Sequence, residues 1–169
     1  YFLDYGTTLR GLQQHHTVDV EDYLAYVHDL ALESFLASDA ELDRLLSEIR
    51  ALKAVFTNAP GDYARRVLTI LGIERHFEQI FDIRFHAFEP KPEPAVYQRV
   101  LDALGVPAAE TVFLEDTPKN LLPARALGMH TILIGADETP AADFADHVVP
   151  DILAALRIVL DLEAHDPKL

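Results

Sequence analysis

The sequence contains no cysteine, no tryptophan and a single methionine among its 169 residues. A disulfide framework, a thiolate metal site and a cysteine nucleophile are therefore excluded, and the chain suits a reducing cytoplasm. Glycine is scarce at 7 residues, and with 10 prolines it leaves no room for a collagen-like or low-complexity chain. Basic side chains are few: 14 Lys and Arg stand against 28 Asp and Glu, a formal net charge of −14. Such a charge repels phosphate backbones and anionic lipid, so neither nucleic acid nor a membrane surface is an expected partner. Apolar runs are short too. None approaches the roughly 20 residues that span a bilayer, and the first residues lack the basic start and apolar stretch of a signal peptide.

What is present is the material of a packed domain. Half of the residues are hydrophobic and a quarter are charged, enough for one core, or for one domain carrying a small insertion. The chain changes rhythm along its length. Up to about residue 53 every element reads as helix: Val20, Tyr23, Leu24 and Val27 fall at i, i+3, i+4 and i+7, and Leu42, Leu45, Leu46 and Ile49 repeat the spacing. Ser38 followed by Glu41 predicts a capping box at the start of the second of these helices.

From Ala54 onward short β-rich runs alternate with amphipathic helices. Strands are expected at Ala54 to Phe56, Gln79 to Ile83, Thr111 to Leu114 and from Thr131 to Ile134, and the run His147-Val148-Val149 with a helix over Asp151 to Leu160 closes the chain. Three helices stop alike, at Leu71-Gly72-Ile73, Leu104-Gly105-Val106 and Leu127-Gly128-Met129, the pattern of a left-handed C-terminal cap with an apolar contact behind it. Strand, helix, glycine stop and strand in repetition predict an α/β fold, a Rossmann-like parallel sheet with helices on both faces.

In such sheets ligands bind beyond the carboxyl ends of the strands. There the sequence places Thr57-Asn58-Ala59, Lys91 between Pro90 and Pro92, and the adjacent pair Glu115-Asp116. Neighbouring carboxylates repel, and a hard divalent cation such as Mg²⁺ is the usual means of holding oxygen ligands together beside a phosphate. Lys91 can supply a compact positive charge to a phosphoryl oxygen, Thr57 a hydroxyl donor, and the N–H groups of Asn58 and Ala59 further donors at a helix entrance. A local cation reverses the field inside one pocket, so a negative surface does not exclude a small phosphorylated substrate. Singly, each of these residues also suits an ordinary loop or helix start; their order and position join them. The eight histidines form no HExxH pattern, and His15 and His16, being adjacent, do not share a helix face, so they read as surface or cap residues. No glycine elbow surrounds Ser34, Ser38 or Ser47, which leaves a serine-hydrolase reading without support.

These stretches resemble the haloacid dehalogenase superfamily, and within it the pyrimidine 5′-nucleotidase-like phosphatases. Val55-Phe56-Thr57-Asn58-Ala59 resembles the superfamily's second motif, Lys91-Pro92-Glu93-Pro94 its third, and Val112-Phe113-Leu114-Glu115-Asp116-Thr117 its fourth. The runs FEPKPEPAVY and ARALGMHTI are similar to stretches of that branch, and Tyr5-Gly6-Thr7-Thr8-Leu9-Arg10-Gly11-Leu12 resembles part of its helical cap. The resemblance implies a partial helical cap over residues 1–36 and an α/β core over 37–169. It implies a Mg²⁺-dependent phosphomonoesterase acting through an aspartyl-phosphate, with Thr57, Asn58, Ala59 and Lys91 on phosphate and Glu115 and Asp116 on the metal. A small phosphorylated metabolite of the nucleoside monophosphate kind is the expected substrate.

One departure stands out. The family's nucleophile and acid/base lie in a DxDxT motif after a first strand, and the only match here, Asp4-Tyr5-Gly6-Thr7-Thr8-Leu9, has Gly6 in place of the second aspartate and no strand-length apolar run before it. The nucleophile and first strand are thus expected to be absent from this chain, which alone should be inactive. In the family that strand is central, so two strand edges should be left open to self-association. Two alternatives remain: a phosphate-binding domain without catalysis, and a 2-haloacid dehalogenase, which needs no metal and is disfavoured by the Glu115-Asp116 pair. A receiver-type signalling domain has its acidic pair before its Thr and Lys, the reverse of the order here.

Overall fold

Helix signals and β-rich runs take their places in chain order as α1 (Phe2–Tyr5), α2 (Thr8–His15), α3 (Val20–His28), α4 (Ala40–Glu48), β1 (Ala54–Phe56), α5 (Gly61–Leu71), β2 (Gln79–Phe81), α6 (Pro94–Leu104), β3 (Val112–Glu115), α7 (Pro118–Leu127), β4 (His130–Ile134), β5 (His147–Val149) and α8 (Ile152–His165). These assignments come from a computed structural model that describes residues 1–135 and 144–166. The chain divides into two units, one made of Tyr1–Asp39 and Leu52–Lys91, the other of Ala40–Ala51 and the residues from Pro92 onward.

In the first unit, local polar caps set where the helices begin. The Thr7 hydroxyl accepts from Arg10 N at the head of α2, and the Asp19 carboxylate accepts from the N–H groups of Glu21 and Asp22 at the head of α3. The stripe read from the sequence points inward: Leu24 packs with Leu9 and Ile83, and Val20, Tyr23 and Phe88 close the cluster. Strand β1 pairs in parallel with β2, Val55 opposite Ile80. Strand β2 is shorter than the sequence suggests. It ends at Phe81 because Asp82 turns the chain, its carboxylate accepting from Gly61 N at 2.8 Å and from Phe85 N at 2.8 Å.

The second unit holds a parallel sheet in the order β3-β4-β5. Its middle strand is fully buried at Thr131, Ile132 and Leu133, as a parallel strand covered on both faces should be. Leu121 and Leu133 form a core with Phe113 and Val148 against it. Helix α4 packs along α8, where the buried Glu163 carboxylate accepts from Arg50 N at 3.1 Å and Ala51 N at 2.7 Å. The expected capping box is not formed. Helix α4 starts at Ala40, directly after Asp39, so Ser38 stands one residue too early, and Glu41 instead binds Arg44 and Arg157 at 2.9 Å each. The three glycine stops form as read, with φ of 76° at Gly72, 69° at Gly105 and 91° at Gly128, and the following residue donates back to the helix in each case.

Among the described residues β1 has a strand neighbour on one side only, and so has β3. Ala54, Val55 and Phe56 are all half-buried, as are Val112, Phe113 and Leu114. Successive strand residues point to opposite faces, so uniform partial exposure of apolar residues marks an open edge and not one wet face. Among the described residues no helix is long and apolar enough to cross a membrane.

Candidate active site

The turn after β1 belongs to the first unit and brings four of the singled-out residues together. Thr57 N extends the pairing by one bond to Phe81 O, and Thr57 Oγ1 accepts from Ala59 N at 3.0 Å, which closes the turn. The Ala59 amide is engaged inside that turn. Asn58 and Lys91 clasp each other: Lys91 N donates to Asn58 Oδ1 at 2.7 Å, and Asn58 Nδ2 donates to Lys91 O at 3.2 Å. The Lys91 ammonium then reaches back to Phe56 O at 3.0 Å and lies 4.9 Å from the centre of the Phe56 ring. Only 8% of Lys91 is exposed. The ammonium is thus held away from bulk water beside a carbonyl oxygen and a ring face, where electrostatic interactions are less screened than in water.

The acidic loop lies in the second unit. Glu115 ends β3 and is buried, and its Oε1 accepts from the N–H groups of Asp116 and Thr117 at 3.1 Å each. Asp116 is exposed, with Oδ1 accepting from the Thr117 hydroxyl at 3.2 Å. Pro118 opens α7, where its missing N–H costs nothing. One turn in, Asn120 is buried, its backbone carbonyl accepts from the Tyr97 hydroxyl at 2.6 Å, and its Oδ1 accepts no hydrogen bond. Burial, and then the Glu115 charge, raise the Tyr97 phenol well above its usual range. The donor set offered here is all oxygen, two carboxylates and a buried amide oxygen without a partner, which suits Mg²⁺ by hardness. Among the described residues no three His, Asp or Glu side chains gather into a metal cage, so a cation here needs oxygens from other sources as well.

Other residues fall elsewhere. Asp4 is exposed on α1, with Gly6 at φ 82° breaking the chain before α2. His15 pairs with the Tyr5 hydroxyl at 2.7 Å and His16 with the Tyr1 hydroxyl at 3.1 Å, both at the surface. An open cavity of about 810 Å³ lies between α3 and the start of α5, lined by Glu21, Leu24, His28, Tyr63 and Arg84 among others. Neither Thr57 nor Lys91 lines it. Sequence reading passed over Asp82 and Tyr97. An Asp directly after a strand was a turn signal that could have been used; nothing in the sequence marks the partner of the Tyr97 hydroxyl.

Residues 4–128 match the family of haloacid dehalogenase-like hydrolases. The validoxylamine A 7′-phosphate phosphatase of Streptomyces hygroscopicus subsp. limoneus is 30% identical over 116 residues, covering 66% of this chain and 53% of that protein. The crystal structure of a HAD family hydrolase from Deinococcus radiodurans R1, with bound phosphate and sodium, aligns with a TM-score of 0.64 at 23% identity over 91% of this chain and 72% of that one. An L-2-haloacid dehalogenase from Xanthobacter autotrophicus aligns with a TM-score of 0.64 at 19% identity over 88% and 70%. These likenesses give the Rossmann-like fold. The chain spans about half the length, or less, of the curated relatives it matches.

Proposed function

Since the chain belongs to the haloacid dehalogenase-like hydrolases, we propose that it supplies the phosphate cradle and the metal-binding carboxylates of a Mg²⁺-dependent phosphomonoester hydrolase of nucleotidase type. The observation that carries this reading is the reciprocal Asn58–Lys91 clasp, which fixes a buried ammonium beside the Thr57 turn. Thr57, Asn58 and Lys91 bind phosphoryl oxygens and neutralise their charge, Lys91 most of all. Glu115 and Asp116 would hold Mg²⁺ through oxygen, and the ion, when bound, shields the negative charge on the phosphoryl oxygens. In the reaction an aspartate attacks phosphorus, the ester oxygen leaves with a proton, and water then cleaves the aspartyl-phosphate.

Asp4 is unsuited to that attack, being exposed on the helix α1. The nucleophile is proposed to lie outside residues 1–169, and the open edges of β1 and β3 support a further strand. Residues 1–36 are proposed as part of a helical cap and 37–169 as the core. A relative named for a phosphate ester supports a small phosphorylated metabolite as substrate, and a nucleoside monophosphate is our first choice. The adjacent carboxylates favour this reading over a haloacid dehalogenase.

Phosphate release from p-nitrophenyl phosphate and from UMP, with and without Mg²⁺, tests the proposal on this chain and on a version preceded by a DxDxT strand. Metal-dependent release only in the extended version is the expected result. Metal-independent chloride release from a 2-haloacid, without phosphate release, would move the assignment to the dehalogenases.

A further inference from the structure

The loop from Asp82 to Lys91 is tied at several points, all within the first unit. Asp82 anchors it to the start of α5 through Gly61 N. Arg84 binds Glu21 of α3 through Nε at 3.0 Å and a second nitrogen at 2.5 Å. Ile83 and Phe88 close a turn, Phe88 N donating to Ile83 O at 2.8 Å, and both side chains enter the cluster formed by Leu9 of α2 and Val20, Tyr23 and Leu24 of α3. His86, fully buried, packs its ring on Phe56 at 4.9 Å. That is the residue whose carbonyl receives the Lys91 ammonium.

Two residues in this loop have positive φ without being glycine, Ala87 at 53° and Phe88 at 64°. There an L-residue's Cβ crowds the following carbonyl, so both must be held by their surroundings. Ala87 is exposed and gains nothing from its side chain, whereas Phe88 is half-buried against the cluster. Between Phe88 and Lys91 stand only Glu89 and the buried Pro90, whose ring fixes φ and makes the link stiff.

We propose that Phe88 is a positioning residue through which helices α2 and α3 hold Lys91 in the phosphate cradle. The apolar contact keeps the left-handed turn wound, the wound turn sets where Pro90 leads, and Lys91 is thereby presented to Asn58. Displacing the helices lets the turn relax and draws Lys91 out of its clasp. The inference rests on the reading of Lys91 as a phosphate ligand, but its central test does not.

That test is amide hydrogen exchange on the full chain, read at Lys91, whose N–H is bonded to Asn58, with Ile132 and Leu133 as internal references. Phe88→Ala is expected to speed exchange at Lys91 about tenfold while the references stay unchanged. Adding Ala87→Gly, which removes the left-handed penalty at that position, is expected to restore part of the protection, and Phe88→Leu to retain most of it. Glu21→Ala, at the surface, releases α3 from Arg84 and should speed Lys91 exchange about threefold, which keeps the idea testable if Phe88→Ala does not fold. An unmoved Lys91 amide in both variants, or an equal rise at Lys91, Ile132 and Leu133, overturns it. Inorganic phosphate binding followed by ³¹P NMR separates the two readings: no binding by the wild-type chain tells against the phosphate cradle, and the exchange result stands regardless.

Discussion

Asn58 gives the candidate site its geometry, because one amide group both accepts from and donates to the backbone of Lys91. Asn58→Ala removes both bonds at once and leaves Lys91 held by Phe56 alone among these partners. We expect kcat/KM for phosphate release to fall about 100-fold or more in whichever form of the protein turns over, a loss comparable to deleting one preorganised donor. Steady-state kinetics of the variant beside wild type measures it. Tyr97 plays the corresponding part in the acidic loop. Its hydroxyl reaches the Asn120 carbonyl from a fully buried ring set edge-on to Phe113, so Tyr97→Phe loses one buried hydrogen bond and no packing. A loss of about 1 kcal/mol in urea unfolding is expected. No change would mean that the hydroxyl does not brace the loop.

At the level of elements, α4 and α8 are joined by charge as well as by apolar contact. Hydrogen bonding by Arg44, with Arg157 added, holds the Glu41 carboxyl down to about 2, against an ordinary 4.5. A depressed carboxylate contributes stability fully above its unfolded value and loses it as pH falls through its folded value. Glu41→Gln should therefore melt below wild type by a constant margin above pH 4.5, and the two melting curves should converge as pH is lowered toward about 2. Thermal melts across that range check the sign. These elements also show how far the sequence could be read. Helix stops at Gly72, Gly105 and Gly128 were plain, because a glycine is the residue that a left-handed position favours. The turn at Ala87 and Phe88 was hidden for the same reason: it takes that conformation without glycine, and only the packing of Phe88 on Leu9 and Leu24 explains it. Helix α4 starts at Ala40, directly after Asp39, and Glu41 is engaged by Arg44 and Arg157, partners that lie 3 and 116 residues away. The grouping of Thr57, Asn58 and Lys91 was legible from strand grammar, whereas the clasp itself was not, since it joins side chain to backbone across 33 residues.

For the molecule as a whole, the open edges and the net charge of −14 oppose each other. The backbone groups of Val112 and Leu114 face away from β4, since Thr111 O accepts from His130 N and strand residues alternate sides. Apolar edges of this kind invite pairing between copies, and like charge resists it until salt screens the repulsion. Sedimentation equilibrium should give a mass above 18.9 kDa that rises with ionic strength, and Val112→Lys should bring it down. A monomer at every salt concentration would show the edges to be covered. The two units also interleave along the chain, residues 1–39 belonging with 52–91 and residues 40–51 with those after 92. During synthesis, then, α4 emerges long before anything that covers it. The N–H of Arg50 meets its acceptor on Glu163 only 113 residues later, roughly 6–23 s at ribosomal rates. For that interval Leu42, Leu45, Leu46 and Ile49, all buried in the finished fold, face water or a chaperone.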